Sequence, residues 1–143
     1  MTTIAYKNGI LAADSAVTIN NMYAGKVNKI TYDEEKKVAI GISGNMFVST
    51  LVDKIVAYMN GELEKPPEFE DTDILIVKDG KVYVYQGEHY PVLLESDFAS
   101  IGSGSQIAMG AMAAGATAEE AVSIASEMDV FTRKPINVIK IPC

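Results

Sequence analysis

Two short apolar runs, residues 3–7 and 10–13, meet at Asn8-Gly9. Asn-Gly between apolar runs is a strong signal for a tight β-hairpin, because a type I′ turn needs positive φ at both central residues. Asp79-Gly80 repeats that logic between residues 73–77 and 81–85. A further hairpin is expected over 27–32 and 37–43, around Asp33-Glu34-Glu35, where Val38, Ile40 and Ile42 alternate. Residues 90–94 predict a short strand and residues 136–141 a closing one.

Helical spacing occupies the gaps. Gly44-Asn45 opens a helix that carries Phe47, Leu51, Val52, Ile55, Val56 and Met59, and Gly61 stops it. Residues 62–72 are acidic, contain Pro66-Pro67 and predict a loop. Ser103-Gly104 opens a second helix over about 105–114, rich in Ala and Gly, which lets it lie close against a neighbour. Thr117 with Glu120 makes a capping box for a third, 118–128. Strand blocks alternating with helix blocks argue for an α+β fold with antiparallel sheets. Two packed sheets with helices on their outer faces fit that order, as a single domain over 1–143.

Composition excludes several functions. The chain has 143 residues, of which 48% are apolar, enough for a sizeable core. No apolar run approaches the roughly 20 residues of a membrane helix, and the start has no signal-peptide character. Net charge is −7 with Lys and Arg scattered, which argues against a nucleic-acid surface. The acidic stretches, Asp33-Glu34-Glu35 and Glu62 to Asp73, read as solvated loops. One cysteine, Cys143, rules out a disulfide framework and fits a reducing cytoplasm. With a single His, His89, a Cys/His zinc site is implausible.

No Gly-x-Ser-x-Gly elbow, Walker loop or dinucleotide fingerprint is present. Gly102-Ser103-Gly104-Ser105 suits an anion at a helix N-terminus, but by itself a flexible strand-to-helix turn explains it better. The Met1-Thr2 junction says more. Trimming of Met1 leaves a threonine with its hydroxyl and a free α-amine on one residue. Such an amine, with a pKa of roughly 7.7–8.0, can take the hydroxyl proton at neutral pH. Many chains begin Met-Thr for no catalytic reason, so the junction needs support from the rest of the sequence.

That support is a resemblance. Thr2-Thr3-Ile4, followed by Gly9-Ile10-Leu11-Ala12-Ala13-Asp14-Ser15, resembles the N-terminal hairpin of proteasome β subunits and of the HslV-type ring peptidase. Lys26-Val27-Asn28-Lys29-Ile30 resembles the segment with the catalytic lysine. Ile40-Gly41-Ile42-Ser43-Gly44 is similar to the oxyanion turn, and Ala99 to Ser105 to the Gly-Ser-Gly turn. Ala118 to Asp129, then Thr132, resembles the last helix and active-site loop. The order holds along nearly the whole chain.

The resemblance implies an N-terminal-nucleophile hydrolase fold: an αββα sandwich of two antiparallel sheets flanked by helices. It implies Thr2 as nucleophile and its amine as general base. Lys29 would lower the pKa of both Thr2 groups, and Asp14 would hold Lys29. The Gly44 N–H would stabilise the oxyanion, and Ser103, Asp129 and Thr132 would support the amine. The bland alternatives are surface salt bridges for the charged residues and a helix cap for Ser103. The family hairpin is longer, and trimming two residues from each strand keeps Thr2 and Asp14 in register, which disfavours Thr3 as nucleophile.

The resemblance further implies a threonine endopeptidase in a homo-oligomeric ring, fed unfolded polypeptide by an AAA+ unfoldase. It requires no cofactor, and it allows a structural monovalent or divalent cation near the Asp129–Thr132 loop. Three departures stand out. The family's second long helix is reduced or absent over 62–72, Arg133-Lys134 replaces Gly-Gly after Thr132, and Thr stands where the family has Ser. If Met1 stays, the Thr2 amine is an amide and no base. A catalytically silent ring or scaffold protein and an amidase acting on small amides are the alternatives. Pocket residues are expected at Asn20–Met22 and Ser43–Ser49.

Overall fold

The computed structural model describes residues 2–44 and 49–142. A four-stranded sheet is ordered β10-β1-β2-β11, and a five-stranded sheet β5-β6-β7-β8-β9. In the first, β1 (Ile4–Lys7), β2 (Ile10–Ala13), β10 (Phe98–Ile101) and β11 (Asn137–Lys140) pair antiparallel throughout. In the second, β5 (Ile30–Asp33), β6 (Val38–Gly44), β7 (Thr72–Lys78), β8 (Lys81–Tyr85) and β9 (Val92–Leu94) also pair antiparallel throughout.

Alternation along the strands builds three apolar layers. Ile4 and Tyr6 of β1, Leu11 and Ala13 of β2, Ala39 of β6 and Leu75 and Val77 of β7 meet between the sheets. The opposite parity, Val38, Ile40, Ile42, Ile74 and Ile76, packs on Val52, Ile55 and Val56 of α1 (Ser49–Met59). Ala5 and Ala12 face α2 (Ser105–Ala113) and α3 (Ala118–Met128), where Ala108, Met112, Ala121 and Val122 cover them. Alanine on that sheet face and on the helices lets the layers approach closely. The result is the helix–sheet–sheet–helix sandwich expected from the sequence.

The turns explain the connections. Asn8 (φ 50°) and Gly9 (φ 78°), and Asp79 (φ 52°) and Gly80 (φ 73°), hold the left-handed conformations their hairpins require. The capping box forms as expected: Thr117 Oγ1 accepts from Glu120 N at 3.1 Å, and Glu120 Oε1 accepts from Thr117 N at 2.9 Å.

Several sequence expectations need correction. The hairpin of β3 (Ala16–Ile19) and β4 (Met22–Lys26) was not foreseen, nor was β10 as a strand. Gly44 ends β6 rather than opening a helix, because its backbone pairs with Thr72. The helical run is described from Ser49, and Asn45 and Phe47 lie outside the described residues. Strand ends also shift: β5 starts at Ile30, three residues later than expected, and β9 and β11 are shorter than expected.

Residues 60–71 carry no helix, in agreement with the prolines. Side chains fasten this segment beside α1. Tyr85 Oη donates to the Pro67 carbonyl at 2.6 Å, and the Phe69 and Tyr85 rings meet edge to face at 5.2 Å. Gly87 lies so close to Phe69 that a Cβ there would run into the Phe69 carbonyl.

Candidate active site

The singled-out residues sit at the strand ends of one edge of the sandwich. Thr2 precedes β1 and Asp14 follows β2, Lys29 precedes β5 and Gly44 ends β6. Ser103 lies in the turn from β10 to α2, Asp129 caps the C-terminus of α3, and Thr132 follows before β11. Antiparallel pairing brings them together: Asp14 N donates to Thr3 O at 3.1 Å, and Ile42 N donates to Lys29 O at 3.0 Å.

One group forms around Asp14, which is fully buried. Its Oδ1 accepts from Lys29 Nζ at 2.9 Å and from Thr3 N at 3.0 Å. Its Oδ2 accepts from Ala16 N at 3.2 Å and from Arg133 N at 3.1 Å. Four donors satisfy a buried carboxylate, as such a charge requires. Burial pushes the pKa of Lys29 below its ordinary value, and the Asp14 carboxylate opposes that shift.

A second group forms around Asp129. Its Oδ2 accepts from Ser103 Oγ and from Thr132 Oγ1, both at 2.6 Å. Burial resists its ionisation, but the bonds from Ser103 and Thr132 outweigh it and hold the carboxyl below its ordinary value. The Ser103 hydroxyl also lies 3.4 Å from Thr2 O, but its single proton goes to the shorter, charged acceptor. Its lone pairs then receive Thr2 N–H at 3.2 Å. The same reasoning fixes the contact of 2.8 Å between the Thr3 and Thr132 hydroxyls. Thr132 has given its proton to Asp129, so Thr3 is the donor. Two relays therefore converge on Asp129, one from the Thr2 nitrogen and one from the Thr3 hydroxyl.

Thr3 joins the groups, with its N–H on Asp14 and its hydroxyl on Thr132. The glycines beside Ser103 make room for this. A Cβ on Gly102 would run into the Thr2 carbonyl, and one on Gly104 into Thr3 Oγ1. The Gly-Ser-Gly segment is thus a turn against which the Thr2-Thr3 backbone lies. The alternative reading of Ser103 as a helix cap fails: Gly104 is the N-cap of α2, without a side-chain cap bond.

Sequence reasoning missed the parts played by Thr3, Ala16 and Arg133. Arg133 N serves Asp14, its carbonyl accepts from Ser15 N at 3.2 Å, and its guanidinium lies 4.6 Å from the Tyr23 ring centre. Backbone donors leave no residue-type signal. The Asp14-to-Ala16 bond, an Asx-turn contact, was the one readable hint. Asn20 and Asn21 form the tip of the β3–β4 hairpin, beside exposed Met22. His89 is exposed, in the loop before β9.

In the Asp129–Thr132 loop, Ser103 and Thr132 use Asp129 Oδ2, and Phe131 N donates to Oδ1 at 3.4 Å. Among the described residues no three His, Cys, Asp or Glu side chains converge to hold a metal ion. Among the same residues no helix is long and apolar enough to cross a membrane.

No protein-family model matches the chain, and no curated protein matches it in sequence. Solved structures do match. HslV from Trypanosoma brucei is similar with a TM-score of 0.72 at 20% identity, over 96% of this chain and 97% of that one. Thiobacillus denitrificans BPH in complex with epoxomicin gives a TM-score of 0.68 at 20% identity, over 99% of both chains. A second BPH structure gives 0.67 at 20% identity, over 99% of this chain and 98% of that one. The chain therefore has the N-terminal-nucleophile hydrolase fold of the HslV type over essentially its full length.

Proposed function

We propose that this chain is a threonine-type endopeptidase of the proteasome-like kind, with the Thr2 hydroxyl as nucleophile once the peptide bond before Thr2 has been cut. The observation that carries this reading is the bond from Thr2 N to Ser103 Oγ, backed by Asp129. A freed amine at that nitrogen would keep the same acceptor, with a carboxylate one hydroxyl away.

In this mechanism the neutral amine takes the Thr2 hydroxyl proton. Thr2 Oγ1 bonds to the substrate carbonyl carbon, and the Gly44 N–H stabilises the oxyanion. The C–N bond then breaks, and the leaving amine takes the proton. Water hydrolyses the resulting ester and restores Thr2. Lys29 acts as a fixed positive charge that lowers the pKa of the hydroxyl, and Asp14 holds it in place. Self-association into a ring, an AAA+ unfoldase and unfolded polypeptide substrates belong to the same proposal.

A comparison of peptide hydrolysis by wild type and Thr2→Ala tests the reading, with intact mass establishing that Thr2 is N-terminal. Wild type hydrolyses and Thr2→Ala falls to background; equal rates would remove Thr2 from the mechanism. Epoxomicin, bound by the BPH structure, is a suitable probe and is expected to inhibit wild type. A silent scaffold is the second reading, because with Met1 attached the Thr2 nitrogen is an amide and cannot act as a base. Persistence of Met1 in the native host decides for it.

A further inference from the structure

The proposed mechanism gives no task to the hydroxyl of Thr3. This residue is fully buried, next in sequence to the proposed nucleophile. Its hydroxyl donates to Thr132 Oγ1 at 2.8 Å. A Cβ on Gly104 would run into Thr3 Oγ1, so the turn before α2 is shaped around this oxygen.

From Thr132 the donation passes to Asp129 Oδ2 at 2.6 Å, and Ser103 Oγ donates to the same oxygen at 2.6 Å. Ser103 Oγ in turn accepts from the Thr2 nitrogen at 3.2 Å. Thr2 and Thr3 thus occupy the two ends of one chain of hydrogen bonds that turns at a single carboxylate oxygen. Donors in such a chain polarise one another. A Thr132 hydroxyl that accepts from Thr3 is a stronger donor to Oδ2. It draws carboxylate charge towards itself and leaves Ser103 a weaker acceptor for its proton. Ser103 Oγ then attracts a cationic amine less strongly. Without the Thr3 hydroxyl, more negative charge stays at Oδ2, and the ammonium form of Thr2 gains.

We infer that Thr3 is a positioning residue, whose hydroxyl sets the Asp129 network so that the freed Thr2 amine stays neutral at the pH of catalysis. The inference rests on the endopeptidase reading of the same site. The other charges around this corner are fixed by other contacts. Asp14 and Lys29 pair at 2.9 Å, and the Arg133 guanidinium lies on Tyr23. Asp71 and Asp73 lie across the cavity that Ser103 borders. A change in the Thr3 side chain leaves all of these in place, because Thr3 meets Asp14 through its backbone N–H.

Thr3→Ser and Thr3→Ala differ by one oxygen and test this directly. Thr3→Val is a second deletion of the hydroxyl that keeps the branched shape. Each protein is released from a removable leader with Thr2 at its N-terminus. The amine pKa is read from the pH dependence of its carbamylation by cyanate, followed by mass spectrometry. The acid limb of kcat/KM for peptide hydrolysis is read beside it. Thr3→Ser is expected to titrate with wild type, and Thr3→Ala and Thr3→Val about 0.5 pH unit higher in both readouts. Equal amine pKa values in the Ser and Ala variants, or a downward shift, overturn the inference, even where both lose stability. The upward shift in carbamylation without hydrolysis by any of the proteins supports the role of Thr3 and removes the endopeptidase reading. Hydrolysis that depends on Thr2 with no shift removes only the role of Thr3.

Discussion

Lys29 Nζ donates to Asp14 Oδ1 across 2.9 Å, with side-chain exposures of only 7% and 0%. Removing one partner of such a pair leaves a charge stranded where water cannot reach it. Asp14→Asn is expected to cost about 3–5 kcal/mol, because it also places an amide donor among four donors. Lys29→Met should cost a comparable amount. The double variant should cost clearly less than the sum, since neither charge then remains. Urea denaturation of the four proteins reads this cycle, and strict additivity would show that the pair is not energetically coupled.

Asp129 makes the fold sensitive to acid. Its folded pKa lies below the ordinary 3.8, so the unfolded chain takes up the proton first as the pH falls. The stability it contributes is therefore complete above about pH 5 and is lost as the pH drops through the folded value. Asp129→Asn should flatten that part of the stability curve. Denaturant midpoints collected across the acid range supply the measurement, and an unchanged slope would show that Asp129 is not responsible.

Gly104→Ala tests the close approach at the turn. The new methyl meets Thr3 Oγ1, whose position is fixed by Thr132. The backbone at residue 104 has φ −92°, so strain from the dihedral does not enter. A loss of about 1–3 kcal/mol is expected from overpacking, together with a fall in peptidase rate. An alanine variant as stable as wild type would show that the contact relaxes freely.

Tyr85→Phe removes the side-chain hydrogen bond to the Pro67 carbonyl while keeping the ring against Phe69. A cost of about 1 kcal/mol is expected, with faster proteolysis confined to residues 60–71. Cleavage spread evenly over the chain would instead mean that Tyr85 supports the whole sheet.

Hairpins were readable where a turn demanded unusual dihedrals and apolar strands flanked it, as at Asn8-Gly9 and Asp79-Gly80. Asn20 (φ 52°) and Asn21 (φ 64°) adopt the same conformations, yet their hairpin went unread. Its strands carry exposed Ile19, Met22 and Tyr23, so no buried face imposes alternation. Strand β10 hid for another reason: Ala99 and Ser100 have little strand propensity, and pairing with β1 places them. In the site, charged and hydroxyl side chains were legible as types. Backbone donors were not, because the Arg133 amide that serves Asp14 comes from 119 residues away and any residue supplies one.

Arg133 is held at three points: by its amide on Asp14, its carbonyl on Ser15 and its guanidinium on Tyr23. Tyr23 belongs to the exposed β3–β4 hairpin, and Asp14 anchors the buried lysine. The two are thus in mechanical series, with one arginine as the link. A load placed on the hairpin reaches the carboxylate that fixes Lys29 without passing through any of the three apolar layers.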